Sequence, residues 1–248
     1  EALKQILEKY ANSMPQAKLE ELRSVIVSAL KRRFRRPKEP KYGSLNRAFS
    51  DQELYVFMRH VKSEKFRLLF SYQANLGLRI GEVCSLHISN IDFDKRELRL
   101  FTEKSRKMDS LLIPMDLFRE TIEFIKNNQD AIKASGGYIF FKENDNNHNN
   151  IPHVVPAYAR KVFREVLKDS GLDYAYGYSE EVYSGRKERP LYRLTTHSLR
   201  HYAITKFAKS TNGNIVLTSR FARHADPSTT MQYISKDNNE LYKNIDYT

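Results

Sequence analysis

Residues 196–205 (THSLRHYAIT) carry the motif that decides the fold of this chain. His197 and Arg200 lie three positions apart in this motif, and the spacing of apolar residues predicts a helix over residues 196–208. Side chains three apart on a helix project from one face. An imidazole and a guanidinium would therefore face the same partner.

A second motif lies downstream at residues 223–234 (RHADPSTTMQYI). Tyr233 comes nine residues after His224, and we expect it inside a short helix over residues 227–234, which begins at a proline. A single tyrosine is normally structural and the chain has 15 of them, so the spacing from His224 is what distinguishes Tyr233. Tyr202 and Tyr242 are the weaker alternatives.

A third motif, GLRIGE at residues 77–82, carries Arg79 and Glu82 about one helical turn apart. Gly77 stands where a helix over residues 64–75 would end, and a short helix is expected over residues 79–86.

The three motifs, in this order and spacing, resemble the tyrosine recombinases, the integrase family that includes phage integrases, Xer-type resolvases and Cre. The resemblance covers roughly residues 45–248. It implies a mostly α fold with a small antiparallel β-sheet, the tyrosine recombinase catalytic domain. It also implies site-specific DNA recombination through a covalent 3′-phosphotyrosyl intermediate, with no metal and no other cofactor.

The residue types suit this chemistry. Strand exchange must break a phosphodiester without losing its energy, and a tyrosine that stays bonded to phosphorus achieves this. By the resemblance, Tyr233 is the nucleophile, and Arg79 and Arg200 are the two arginines that stabilise the negative charge of the transition state. His197 would bond the phosphate or accept the tyrosine proton, and His224 would donate to a non-bridging oxygen.

Two further roles follow from the same resemblance. Glu82 would orient Arg79 or His197 as a supporting carboxylate. The proton for the leaving 5′-oxygen would come from a lysine in a β-hairpin loop, for which we choose Lys104, with Lys107 as the competitor.

Composition limits the classes of protein that fit. Lys and Arg number 42 and Asp and Glu number 30, so the formal net charge of the 248 residues is +12, which favours nucleic acid as a partner. No run approaches the roughly 20 apolar residues of a membrane helix. Cys84 is the single cysteine, which excludes an internal disulfide and a cysteine-built zinc site and favours a reducing, cytoplasmic compartment. The histidines are not spaced as metal ligands would be. The sequence also has no glycine-rich phosphate-binding loop, so ATP use is not expected.

Half of the net charge lies in residues 31–41 (KRRFRRPKEPK), which hold seven basic residues and one acid. This run is either a solvated linker or a strap along a phosphate backbone. The residues expected to bind DNA are Lys31, Arg32, Arg33, Arg35, Arg36, Lys38, Lys41, Arg106, Lys107 and Arg223.

The chain is expected to divide into a short helical DNA-binding segment with the basic linker, residues 1–43, and a catalytic domain, residues 44–248. Ser50 and Glu53 form a capping box that opens a helix over residues 50–61. Other helices are predicted at residues 2–10, 19–34, 116–127, 154–167, 215–222 and 238–245. Strands are predicted at residues 88–93, 97–101, 111–114 and 138–141, and long loops at residues 102–110, 144–150 and 171–194.

The chain departs from the family at two points. Arg223 stands where relatives usually have glycine, which would change how the loop approaches DNA or add a phosphate contact. The segment before the catalytic domain is also shorter than the helical domain of relatives, so it is either truncated or clamps DNA differently.

Two other functions remain open at this point: a DNA relaxase of the type IB topoisomerase class, and a non-enzymatic DNA-binding regulator on the same fold. The partners expected are double-stranded DNA and further copies of the chain, monomeric in free solution and assembled as a tetramer on DNA, with no membrane. The biological role, whether integration, excision, transposition or dimer resolution, does not follow from the catalytic residues.

Overall fold

The structure is a computed structural model, and it divides into two compact units, Glu1–Lys41 and Tyr42–Thr248. The boundary lies close to the one expected at residues 43 and 44, whereas the role of each part stays a prediction. The structure describes residues 2–33, 47–102, 107–143, 151–179, 189–224, 228–231 and 233.

The described part of the first unit consists of two helices, α1 (Ala2–Ser13) and α2 (Gln16–Arg33). Pro15 separates them, because its ring cannot continue α1 but suits the start of the next helix. The apolar residues Val25 and Ile26 on α2 are exposed.

The second unit is built mainly of helices. They are α3 (Asp51–His60), α4 (Glu64–Leu76), α5 (Ile80–Cys84), α6 (Met115–Asn127), α7 (Gln129–Ala134), α8 (Pro156–Asp169), α9 (Thr196–Ser210), α10 (Ile215–Ala222) and α11 (Ser228–Met231). Among the described residues, no helix combines the length and the apolar character needed to cross a bilayer.

Helix α4 is the centre of this unit and is buried along most of its length. It packs against α5, α6 and α9. It ends at Gly77, whose left-handed backbone (φ +60°) is the conformation that glycine adopts without steric cost. This close ending brings the Gly77 carbonyl to α9, where the site is built.

Aromatic rings fill the contact between α3, α4 and α8. Phe57, Phe70 and Phe163 meet with ring centroids 4.8–5.6 Å apart, and Phe49 closes the cluster. The predicted capping box of α3 is confirmed, since the Ser50 hydroxyl accepts the Glu53 amide and the Glu53 carboxylate accepts the Ser50 amide. The box fixes where the chain enters this core.

The antiparallel sheet is confirmed, with strand order β1 (Ile91–Asp92), β2 (Glu97–Thr102), β3 (Lys107–Leu112). Leu98 pairs with Leu111, and both side chains are buried. Arg99, next along β2, is exposed, as the alternation of a strand covered on one face requires.

Several predicted strand boundaries are wrong. Residues 88–90 form a 3-10 turn, and β3 begins at Lys107, so the end of the predicted basic loop is strand. Residues 138–141 make only isolated bridges, Tyr138 with His87 and Phe141 with His153. These errors share a cause: the length of a strand depends on how far its partner runs beside it, which local composition does not encode.

Residues 171–194 are not simply a long loop. They contain β4 (Ala175–Ser179) and β5 (Arg189–Tyr192), which pair antiparallel with an irregularity between Ala175 and Gly177. That irregularity, together with Pro190 in β5, hides the period of two by which a strand is recognised. Residues 144–150 and 238–245, predicted as loop and helix, lie outside the described residues.

The last helices bring the C-terminal motif against α9. Helix α10 packs on α9, and α11 packs on α10. Tyr233 lies in a turn after α11 and not inside a helix as predicted, and its amide donates to the Thr230 carbonyl at 2.9 Å.

Candidate active site

Arg200 is the buried centre of the site. Its guanidinium donates through Nη1 to the carbonyl of Gly77, at the end of α4, and through Nη2 to the carbonyl of Ala222, at the end of α10. Burial first, then the positive charges of Arg79 and Arg223, lowers the pKa of Arg200 to about 10. The group therefore stays charged at neutral pH, and two helix ends hold it in place.

Arg79 lies at the start of α5 and is tied to Glu82. The Glu82 carboxylate accepts the Arg79 backbone amide at 2.8 Å and its Nη1 at 2.8 Å. Burial of Glu82 opposes ionisation, but Arg223 and Arg79 outweigh it and lower the pKa of this carboxyl. The Arg79 side chain keeps 40% of its surface exposed, so it can still meet a ligand.

His197 and His201 lie one helical turn apart on α9, with ring centroids 4.7 Å apart and rings nearly perpendicular. His197 is exposed and His201 is buried. Loss of hydration first, then the charge of Arg200, lowers the pKa of His197. Burial first, then His197 and Arg47, lowers the pKa of His201 to about 3. His201 is therefore neutral at pH 7.

Tyr233 is enclosed between two histidine rings. Its ring centroid lies 5.0 Å from that of His201 and 5.8 Å from that of His224, and its residue surface is 3% exposed. The ring also packs against Ile204 and Ala222. A side chain held this closely cannot swing freely, so the position of its hydroxyl is set by the surrounding packing.

His224 follows Arg223, the residue that caps the end of α10, and its Nδ1 lies 3.0 Å from Oγ1 of the buried Thr230. Burial first, then the charges of Arg200 and Arg79, lowers the pKa of His224 to about 4. With the Thr230 hydroxyl as donor to Nδ1, the neutral ring carries its proton on Nε2 and can donate it to a ligand.

The structure brings together the five residues to which the sequence assigns the main roles. The charges of Arg79 and Tyr233 both influence the pKa of Arg200. The pKa of His224 is in turn lowered by the charges of Arg200, Arg79 and His197. Elements from both ends of the second unit therefore converge on one point.

Tyr202, the alternative nucleophile that the structure describes, forms hydrogen bonds outside this group of residues. Its hydroxyl donates to Asp51 Oδ1 at 2.6 Å and accepts from Lys206 Nζ at 3.3 Å. It joins α9 to the start of α3, which is a structural role. Tyr242 lies outside the described residues.

Arg223, which the sequence predicts to bind DNA, is buried and paired in this structure, and its contact with DNA stays a prediction. Its side chain is only 2% exposed, and its Nη2 donates to Glu82 Oε2 at 2.7 Å. A buried guanidinium needs a carboxylate or equivalent acceptors, and Glu82 supplies one. Of the two partners expected for Glu82, Arg79 is bonded to it and His197 is not, among the described atoms. Its second partner is Arg223.

The other basic residues remain predictions. Lys107 begins β3, opposite Thr102, and Lys31, Arg32 and Arg33 end α2, but the side chains of these four basic residues are not described. The remaining expected DNA-binding and proton-donating residues lie outside the described residues: Arg35, Arg36, Lys38, Lys41, Lys104 and Arg106.

Sequence reasoning missed two contributors. Thr230 orients His224, and Arg47 lowers the pKa values of both His197 and His201 through its positive charge. Thr230 could have been noticed because it lies between His224 and Tyr233, whereas no local pattern marks Arg47. Across the described residues, no group of three or more His, Cys, Asp or Glu is arranged to hold a metal ion.

Comparison with known proteins decides the family. The model of the phage integrase family matches residues 48–240 of the chain. The chain belongs to the phage integrase family. Within it, the chain is similar to tyrosine recombinase XerA of Pyrococcus furiosus, with 24% identity over 203 residues that cover 81% of this chain and 60% of the relative. The chain thus spans about three fifths of the length of this curated relative.

Solved structures of recombinases and integrases share the fold. The crystal structure of XerA recombinase matches with a TM-score of 0.60 and 18% identity, over 84% of this chain and 64% of that chain. The Tn1549 transposon integrase, in complex with a circular intermediate DNA, matches with a TM-score of 0.62 and 16% identity, over 88% and 69%. The predicted fold class, mostly α with a small antiparallel sheet as in tyrosine recombinase catalytic domains, is confirmed.

Proposed function

We propose that the chain is a site-specific DNA recombinase that cleaves and rejoins double-stranded DNA through a covalent bond between Tyr233 and a 3′-phosphate. The observation that carries the proposal is the convergence of Arg79, His197, Arg200 and His224 around Tyr233. These residues bring a nucleophile, fixed positive charge and neutral imidazoles to one point. In the proposed mechanism, each of the three has a part in cleaving a phosphodiester.

In the proposed reaction, the Tyr233 hydroxyl attacks phosphorus and the bond from phosphorus to the 5′-oxygen breaks. The energy of the phosphodiester is kept in the phosphotyrosyl bond, so the reverse attack by a 5′-hydroxyl rejoins a strand. Arg79 and Arg200 stabilise the negative charge that gathers on the non-bridging oxygens. Arg200 is held rigid by two carbonyls, so little reorganisation is needed when that charge develops.

The histidines act as neutral groups in this scheme. His224, with its pKa lowered to about 4, is an uncharged imidazole that donates its Nε2 proton in a hydrogen bond to a non-bridging oxygen. His197, whose pKa is also lowered, has a free lone pair that can accept the tyrosine proton. Lys104 is proposed to give the proton that the leaving 5′-oxygen takes up, with Lys107 as the alternative donor.

The proposal includes the setting of the reaction. The partner is double-stranded DNA, as it is for the XerH recombinase bound to its difH substrate, to which the fold is similar with a TM-score of 0.58. Recombination joins two duplexes, so four copies would assemble on DNA. An enzyme of this kind works where DNA is, so we propose a cytoplasmic location.

The test is covalent capture of nicked DNA. A library of short duplexes with a random central sequence, each nicked near its centre, is incubated with the protein and denatured in SDS. The nick lets a short fragment diffuse away after cleavage, so the phosphotyrosyl bond cannot be reversed. We expect adducts that migrate slowly on a denaturing gel and whose DNA shares one sequence.

Tyr233→Phe is the matched control, because it removes only the hydroxyl from a packed ring. We expect no adduct, a melting temperature near that of the unchanged protein, and DNA binding within about twofold. Tyr202→Phe should still form the adduct. An adduct that still forms with Tyr233→Phe would show that Tyr233 is not the nucleophile. Adducts without a shared sequence indicate a type IB relaxase, and binding without any adduct indicates a non-enzymatic regulator.

A further inference from the structure

Arg223 has a backbone conformation that its residue type disfavours. It caps the C-terminus of α10 with φ +53° and ψ +45°, in the left-handed region that glycine and asparagine adopt readily and most other residues avoid. A residue with a long side chain persists there when its contacts compensate for the strain. The contacts of the guanidinium therefore indicate what Arg223 does.

The contact of Arg223 is shared with Arg79. Glu82 Oε1 accepts from Arg79 Nη1, while Oε2 accepts both the Arg79 backbone amide and Arg223 Nη2. Nε and Nη1 of Arg223 are buried without a hydrogen-bond partner among the described residues. Glu82 is thus the hydrogen-bonding partner that holds this guanidinium in the described part of the chain.

The shared carboxylate joins two distant parts of the site. Glu82 follows Arg79 by three residues, Arg223 directly precedes His224, and Arg223 and Glu82 are 141 residues apart in the chain. The bond therefore aligns the segment with Arg79 against the segment with His224.

Charge gives the contact a second effect. If Glu82 paired with Arg79 alone, the pair would be neutral and less attractive to phosphate. Arg223 also interacts with the negative charge of Asp109, so the three guanidiniums of Arg79, Arg200 and Arg223 together with the carboxylates of Glu82 and Asp109 keep a net charge of 3 − 2 = +1. Arg79 remains partly exposed and able to bind phosphate.

Building on the proposed function, we propose that Arg223 is a positioning residue of the cleavage reaction. Through Glu82 it holds the guanidinium of Arg79 in line with His224, and it offsets the carboxylate charge that would otherwise weaken Arg79. Arg223 does not itself touch DNA. This role replaces the phosphate contact expected from the sequence.

The experiment compares Arg223→Asn, Arg223→Lys and Glu82→Gln in single-turnover cleavage of the nicked duplex sequence recovered from the library. Asparagine tolerates the left-handed backbone but removes the charge, whereas lysine keeps the charge. We expect Arg223→Asn to slow cleavage by about 10–100-fold, the usual effect of losing a group that orients a catalytic residue. Binding of the duplex should change by less than about threefold, and Arg223→Lys should recover most of the rate.

Two further readouts separate positioning from a merely structural effect. Because Arg223 lowers the pKa of Glu82, its loss should shift the acidic limb of the rate profile of Arg223→Asn to higher pH. In a Glu82→Gln background, Arg223→Asn should add little, because residues that act through one another are not additive. Arg96→Asn is the matched control, since Arg96 also has a positive φ of 56° but lies in the turn before β2. We expect it to cleave at the unchanged rate.

The outcomes separate the two proposals. If the unchanged protein forms no adduct, the proposed function fails. If it forms the adduct and Arg223→Asn cleaves equally fast, or if the effects of Arg223→Asn and Glu82→Gln multiply independently, the positioning role is wrong. If Arg223→Asn does not fold, Arg223→Lys carries the test: a folded lysine variant that cleaves as slowly as Glu82→Gln contradicts the role, and recovery supports it.

Discussion

Individual residues of the site owe their chemistry to burial among like charges. Arg200, His197 and His224 all have pKa values lowered by loss of hydration and by neighbouring guanidiniums. A positive, partly dehydrated site of this kind attracts a phosphate, which restores favourable interactions to every charge around it. The free energy used to bury these groups therefore favours binding of an anion.

The same burial predicts a pH dependence of stability. The pKa of His201 is lowered to about 3 and that of His224 to about 4, whereas unfolded histidines titrate near roughly 6.5. Below about pH 6.5 the unfolded chain binds more protons than the folded chain, so the free energy of unfolding falls as pH decreases towards 4. It reaches its full value above roughly pH 7, with a loss of up to about 1.4 kcal/mol per pH unit for each such histidine.

The measurement is denaturant unfolding of the DNA-free protein at pH 7, 6 and 5. We expect His201→Gln to flatten the loss, because glutamine does not titrate. His60→Gln, which changes an exposed histidine on α3, is the matched control. A profile as steep in His201→Gln as in the unchanged protein would contradict the prediction.

At the level of elements, the second unit brings the proposed catalytic groups to the ends of helices. Gly77 ends α4, Arg79 begins α5, and Ala222 ends α10, while the carbonyls of Gly77 and Ala222 bind Arg200 on α9. Helix ends carry backbone groups without intrahelical partners. These groups let several helices meet at a charged centre without leaving it unpaired.

The hairpin of β2 and β3 is the element from which the proton donor is expected. We predict that Lys104→Ala slows cleavage strongly and that sulfur in place of the leaving 5′-oxygen restores the rate, because a thiolate leaves without a proton. The measurement is single-turnover cleavage of matched oxygen and sulfur duplexes.

Arg106→Ala is the control in the same loop, since it removes a positive charge but no proposed proton donor. It should weaken binding and show no rescue by sulfur. If Lys107→Ala is the variant that sulfur rescues, then Lys107 and not Lys104 is the donor.

The basic run of residues 31–41 is the other element with an expected role. We predict that changing Lys31, Arg32, Arg33, Arg35 and Arg36 to glutamine weakens DNA binding regardless of sequence, because dense charge without fixed geometry binds phosphates and not bases. Each lost phosphate contact should reduce the log–log salt slope by about 0.9.

The measurement is the dissociation constant for duplex DNA across a series of salt concentrations. Changing Lys126 and Lys133 to glutamine, at the ends of α6 and α7, removes two positive charges elsewhere, and the change in slope per charge removed is compared between the two variants. An unchanged slope in the first variant would mean that the run is a solvated linker.

At the level of the whole molecule, recombination requires several copies to act in one complex. The tail beyond Tyr233 carries Leu241, Tyr242 and Ile245 at helical spacing, and such a stripe buries itself against its own chain or against a neighbour. We expect the protein to be monomeric in solution and to assemble on DNA through this tail.

Deleting residues 239–248 should therefore leave cleavage of a single nicked site measurable but remove the pairing of two sites and the exchange of strands. The measurements are adduct formation on one duplex, gel migration of the paired complex, and recombinant product from two sites. Recombination at the full rate by the shortened protein would show that the tail does not couple the sites.

Local spacing was enough to predict much of this protein. His197 with Arg200, Arg79 with Glu82, and His224 with Tyr233 were recognisable because each set lies within one or a few helical turns, where the chain alone determines which side chains are neighbours. The capping box of Ser50 and Glu53 and the helix end at Gly77 could be predicted for the same reason.

Contacts between distant parts of the chain could not be predicted in this way. The bonds from Arg223 to Glu82 and from Arg200 to Gly77 span 141 and 123 residues. The pairing of β4 with β5, the effect of Arg47 on the histidines and the burial of Tyr233 also depend on which surfaces meet after folding. Packing sets these partners, and because a buried charge must find an acceptor, the guanidinium of Arg223 pairs with Glu82, a contact that the local sequence does not reveal.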